Sequence, residues 1–226
     1  MTRSRTLKGS LTAVLAACAL TACTAHPGAA AVVGSDQISD GQLDDVARAL
    51  CSAQNIQSGV PQSLSSRAAR QGALSVLLNS ELSLQYGRAK GIHPSQGQVS
   101  GAVAANQQTL NKLPTEEKAA FEDTLRKYSE GQLILIEAGR RAYASKGSTI
   151  PSAQQALTAG QQARDAWVRR NVDVSVDPRY GRFVQGALRP AGGSLSVAAS
   201  SQAVAGASAN PGQSWVSSLP ANQKCS

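Results

Sequence analysis

Apolar side chains recur along this chain at intervals of three and four residues, and few of them are bulky. Leu43, Val46, Ala47, Leu50 and Cys51 fall on one face of a helix. Leu74, Leu77, Leu78 and Leu82 do the same, with Val76 and Leu84 widening the face. Aromatic residues make up 4% of the chain against a hydrophobic share of 42%, so much of the apolar content is alanine. Alanine has the best helix propensity and a small side chain. A chain patterned this way is expected to fold as closely packed helices rather than as a sandwich or barrel.

Punctuation divides the pattern into about five helices. Ser39 or Asp40 caps the first, with Asp44 and Asp45 in its opening turn. Pro61 fits the start of the second, which stops near Lys90 and Gly91. The third follows Pro94 and carries Val99, Val103, Leu110 and Leu113 on one side. Thr115 reads as the N-cap of the fourth, followed by Glu116 and Glu117, and that helix runs to about Ser145. Its centre, Leu133, Ile134, Leu135 and Ile136, is apolar all round, which marks it as the most buried helix. Ser152 caps a fifth, reaching about Arg170 with Leu157, Trp167 and Val168.

Two strands flank this helical block. One is the apolar run 30–34, and the other is the alternating stretch 172–176. A lone strand leaves backbone groups unpaired, so the two are expected to pair and staple the ends of the domain together. Asp177, Pro178, Arg179, Tyr180 and Gly181 then read as a turn.

The beginning of the chain has a different logic. Arg3, Arg5 and Lys8 form a positive stretch, and residues 11–20 form an apolar run too short to span a bilayer. Leu20, Thr21, Ala22 and Cys23 follow, which resembles the lipobox of bacterial lipoproteins: an aliphatic residue, two small ones, then the cysteine that takes a diacylglycerol thioether. The alternative is an ordinary secretory signal with an incidental cysteine. On the lipobox reading, residues 1–22 are a signal peptide and lipid on Cys23 anchors the protein to the outer face of the cell membrane. Residues 23–30 are then a tether, 31–184 the helical domain, and 185–226 a Ser/Ala/Gly-rich tail in which Trp215 and Val216 serve as an anchor. The formal charge is +8, and removal of the three leader charges leaves about +5. That excess comes in pairs such as Arg140 with Arg141 and Arg169 with Arg170, so nucleic acid is not the expected partner.

Four cysteines are present. Cys18 leaves with the leader and Cys23 is occupied by lipid, so Cys51 and Cys225 remain. In an oxidising compartment this even pair is expected to form a disulfide that ties the tail back; two free thiols are the alternative.

Catalytic patterns are missing. His26 falls in the tether and His93 in a loop before Pro94. No cysteine and histidine cluster has metal-ligand spacing, and no phosphate loop or nucleophile elbow occurs. Glu116, Glu117, Glu122 and Asp123 are explained as partners of the helix dipole. No cofactor, metal or catalytic residue is assigned.

The two ends of the helical block carry a resemblance. Residues 31–39, reading Ala-Val-Val-Gly-Ser-Asp-Gln-Ile-Ser, look like the opening strand and helix start of the SurA N-terminal domain family. Residues 172–181, reading Val-Asp-Val-Ser-Val-Asp-Pro-Arg-Tyr-Gly, look like that family's closing strand and turn. The whole resembles single-domain actinobacterial lipoproteins of this kind. The resemblance implies a helical chaperone module that binds unfolded or extended segments of exported proteins through apolar grooves. In the family this module often precedes a parvulin-type prolyl isomerase domain. Here about 36 low-complexity residues follow Pro190, too few for such a domain. The expected function is therefore non-enzymatic binding of exported polypeptides. A peptidyl-prolyl isomerase, or a scaffold lipoprotein recruiting one folded partner, are the alternatives.

Overall fold

A computed structural model describes residues 27–59, 64–147, 149, 151–189, 200–207 and 211–225. Residues 1–26, with Cys23 and His26, and Pro61 lie outside the described residues. The fold is mostly α-helical, with a small three-stranded sheet at the point where the helical block begins and ends.

Strand β1 (Ala29–Val33) turns back through Gly34 and Ser35 into β2 (Asp36–Ser39). Gly34 has φ of +59°, as the first centre of a tight hairpin requires. β3 (Val174–Val176) pairs antiparallel with the other edge of β1, Val33 opposite Val174 and Ala31 opposite Val176. The expected stapling of the two ends is thus present. It includes an extra strand, because 36–39 extends the hairpin before the helix starts. Ala30, fully buried, belongs to the sheet rather than to a tether.

Ser39 is the N-cap of α1 (Asp40–Ser58), its hydroxyl accepting from the Gln42 amide. α2 (Ser66–Lys90) starts five residues after Pro61, with Ser65 as cap, and ends on Gly91 with φ of +59°. The third expected helix is two, α3 (Gln96–Ala104) and α4 (Gln107–Lys112). The break falls at Asn106, whose side-chain amide donates to the Ala102 carbonyl while its backbone leaves the helix. α5 (Thr115–Ala144) begins at Thr115 itself; Pro114 holds the cap position with no side-chain acceptor, so Thr115 is not the N-cap. Within α5, Ile134 and Leu135 are buried, but Leu133 and Ile136 are only half-buried. α6 (Ala153–Asn171) opens with a capping box between Ser152 and Gln155.

α5 and α6 meet at backbone distance. A Cβ on Gly139 would overlap the Ala156 carbonyl, and one on Gly160 would overlap the Leu135 carbonyl. α2 reaches the same helix through Gly131 against Ser83 and Gly87 against Ile134. Beside this seam Arg164 is 4% exposed. It donates to Ser83 Oγ at 3.1 Å and, through two nitrogens, to Asp165 Oδ1 at 2.8 and 2.9 Å. The buried charge is therefore paired and bonded across from α6 to α2, as burial demands. The main core joins Val33, Ile38, Leu43, Leu74, Leu78 and Val168.

After Gly181 a short hairpin forms, β4 (Arg182–Val184) and β5 (Ala187–Arg189). Its turn residues Gln185 and Gly186 have φ of 52° and 83°, the backbone of a type I′ turn. Phe183 and Leu188 pack on the main core. The low-complexity reading from residue 185 onward therefore begins inside a folded hairpin. Two further helices, α7 (Ser201–Ala207) and α8 (Gln213–Ser218), lie in the tail. Trp215 donates its indole N–H to the Gln202 carbonyl and Val216 is buried.

The turn after β3 closes the domain electrostatically. Asp40, first residue of α1, accepts from Tyr180 Oη and from Arg179, both at 2.9 Å. Asp177 accepts from the Arg179 amide and guanidinium. The hydrogen bond from Arg179 holds the Asp177 carboxyl below its usual range. Burial, and then the bond to Asp40, push the Tyr180 phenol up.

Two outcomes follow from these contacts. Gly139→Ala should destabilise the protein by about 3 kcal/mol in chemical denaturation, because rigid backbones must part. Gly101→Ala, with open space around it in α3, should stabilise by about 0.5–1 kcal/mol. The pH profile has its own sign. A lowered Asp177 stabilises the fold above about pH 4 and loses that contribution as pH falls through its folded value. A raised Tyr180 stabilises below about pH 10 and loses it above. Asp177→Asn should therefore flatten the acid limb of stability measured by thermal melts, and leave the alkaline limb in place.

Candidate functional site

Helices α1 and α2 present small side chains to each other. Ala68, Ala69, Gly72, Ala73 and Val76 fall on one face of α2, spaced one and three residues apart. Ala47 and Ala53 face them from α1. Short side chains on both walls leave a trough of about 340 Å³ between the helices, with Leu50 and Phe121 of α5 also lining it. The lining carries no charged side chain; Gln54 and Gln57 are its polar members. Among the described residues this open apolar trough is the surface feature whose lining best suits an apolar ligand.

One end of the trough is already engaged. Cys51, which contributes to the lining, is brought to disulfide distance of Cys225, with Cα atoms 5.7 Å apart. Beside it the chain runs extended: the Cys225 amide donates to the Leu64 carbonyl at 2.8 Å, and Lys224 bridges antiparallel to Ser65. Ser66 Oγ adds a 3.3 Å bond to the Lys224 carbonyl. Leu64 and Ser65, just before α2, thus pair through their backbone with Lys224 and Cys225, while the trough lies open beyond them.

A second cleft, about 390 Å³, lies between the loop 91–95 and α5. The half-buried Leu133 and Ile136 form its floor, which explains why the centre of α5 is not buried on all sides. His93 and Arg140 sit at its rim, and Glu137 pairs with Arg141 at 2.9 Å. No side chain there is bonded to His93, and the walls are as polar as they are apolar. Among the described residues no cluster of three or more His, Cys, Asp or Glu could hold a metal, and no helix is long and apolar enough to cross a membrane.

Of the residues singled out from sequence, the structure brings Cys51 and Cys225 together; Cys23 lies outside the described residues. The trough was missed. Its signal was present in the Ala68, Ala69, Gly72, Ala73 spacing, a helix face that lacks large side chains. Comparison with protein-family models, with curated proteins and with solved structures finds no match to this chain.

The bridge encloses a sequence separation of 174 residues. In the chain-entropy account so long a loop corresponds to about 5 kcal/mol, and measured bridges more often give about 2–4 kcal/mol. Reduction should lower the denaturation midpoint by an amount in that range. Cys225→Ser should lower it equally and make the protein indifferent to added reductant.

Proposed function

We propose that this protein is a lipid-anchored, extracytoplasmic binding protein that holds unfolded or extended segments of exported polypeptides, and that it does so without catalysing a reaction on them. The observation that carries this reading is the apolar trough between α1 and α2, at one end of which Lys224 and Cys225 are bonded to Leu64 and Ser65. A segment laid in the trough would bury apolar side chains against its alanine walls. The lining has no acid, base or free nucleophile, which suits holding rather than turnover. The anchor rests on the lipobox-like Leu20, Thr21, Ala22 and Cys23, and the chaperone class on the SurA-like ends of the domain.

Those ends have a structural explanation as well. Residues 31–39 and 172–181 form the sheet and the Asp40, Arg179 and Tyr180 contacts that close the domain. They define the module, while the binding surface lies elsewhere, on helices that resemble the family only in order.

The test is direct binding. The oxidised chain from Cys23 onward, titrated with extended apolar peptides from exported proteins, should bind many of them at micromolar affinity, about −8 kcal/mol. Ala69→Glu places a carboxylate in the trough and should weaken binding by at least about tenfold. Binding unaffected by Ala69→Glu, or no binding at all, would overturn the reading. A protease-coupled proline isomerisation assay should show no rate above the uncatalysed one.

A further inference from the structure

The open end of the β4–β5 hairpin carries two positive charges that form no ion pair with a described residue. Arg182 and Arg189 stand directly opposite each other in register. Both are exposed, and neither makes an ion pair or hydrogen bond with a described residue. Like charges in opposed positions destabilise a strand pair unless something of the other sign lies between or beyond them. Val184 shares the face of Arg182, since alternate residues of a strand point the same way, and it is 43% exposed. Phe183 and Leu188 occupy the other face and pack on the core. The outer face of the hairpin is therefore basic and apolar at once.

Asp165, whose carboxylate lies against Gly186 in the hairpin turn, is paired with Arg164. Asp40 and Asp177 hold Arg179, Asp44 pairs with Arg70, and Asp45 pairs with Arg48. Arg67, exposed in the first turn of α2, adds a further unpaired cation. It lies one turn before Gln71, which donates to the Tyr180 carbonyl beside the hairpin.

This corner is also where the chain enters the fold. The Asp40 amide donates to the Gly28 carbonyl at 2.8 Å, and Tyr180, two residues before Arg182, donates to the Asp40 carboxylate. From Cys23 to Pro27 the chain has four peptide steps, a reach of at most about 14 Å. A lipid on Cys23 would bring this corner close to the headgroups, where an anionic surface attracts each nearby Arg and the attraction decays over about 8–10 Å.

We propose that the outer face of the β4–β5 hairpin, through Arg182, Arg189 and Val184, docks on anionic phospholipid headgroups and so sets which side of the domain faces the bilayer. The proposal rests on the anchor reading of Cys23. Docked this way, the domain sits on its closing turn and is held flat rather than swinging on its tether.

The experiment couples a maleimide lipid to Cys23 of the chain from Cys23 onward; Cys51 and Cys225 are held together and do not compete. Hydrogen exchange is compared on vesicles of phosphatidylcholine and on vesicles of equal parts phosphatidylglycerol and phosphatidylcholine. The expected result is slower exchange over residues 179–189 on the anionic vesicles only. Arg182→Gln with Arg189→Gln should abolish that difference while exchange in the rest of the chain stays unchanged, which shows the fold intact. Equal exchange on both vesicles, or protection confined to α3 and α5, would overturn the proposal. Because the lipid is attached chemically, this outcome is separate from the fate of the anchor reading. That reading is overturned by a Cys23 peptide of unmodified mass in protein recovered from cell membranes.

Discussion

Two helices of this protein, α5 and α6, meet backbone to backbone, and a third, α2, packs closely on α5. Gly139 and Gly160 remove the side chains that would keep α5 and α6 apart, and Gly131 and Gly87 do the same between α5 and α2. Close packing of this kind gathers many small dispersion contacts and leaves little freedom to relax. The buried Arg164 adds a polar bond across the same seam, from α6 to Ser83 of α2. The result is a stiff slab on which the other elements rest. α1 packs on α2 partly through Leu43, Val46, Leu74 and Leu77, but around Ala47, Ala53, Ala68, Ala69 and Gly72 the small side chains do not fill the gap. The seam is tight where glycine meets backbone, and the trough is open where these small side chains face each other.

The second constraint is closure of the ends. β1 pairs with β3, Tyr180 and Arg179 bond to the first residue of α1, and the Cys51–Cys225 contact ties the tail to the middle of α1. Each contact joins residues far apart in sequence, so each restrains the same block from a different side. Most of the charged contacts are exposed and contribute little singly. The Tyr180 bond to Asp40 is partly buried, and it fixes where the hairpin of β4 and β5 can lie. Lys224 and Cys225 of the tail are bonded along Leu64, Ser65 and Ser66, at the mouth of the trough.

Much of this was legible in the chain. Helix period, the Ser39 and Ser152 caps, the pairing of 30–34 with 172–176 and the cysteine pair are local or arithmetic signals, and the structure contains all of them. What sequence did not reveal depends on context. Asn106 bends the chain because its side chain reaches the Ala102 carbonyl, and Pro114 displaces Thr115 as cap. The Gln185-Gly186 turn lacks the asparagine or aspartate that would have announced it. The roles of Gly139 and Gly160 were not read from sequence, because only the partner backbone shows them to be close contacts. The trough was hardest to see because it is made of what is missing. A face of Ala68, Ala69, Gly72 and Ala73 reads as core until the opposing face is known to be small as well.

The central claim is that the trough, and not another face, receives extended polypeptides. A photoreactive residue placed at Ala69, with the same residue at Gly101 as a distant control, tests it in living cells. Crosslinks from position 69 to many different exported polypeptides, with few from position 101, are the predicted result. Equal crosslinking from both positions, or a single folded partner at position 69, would contradict the account.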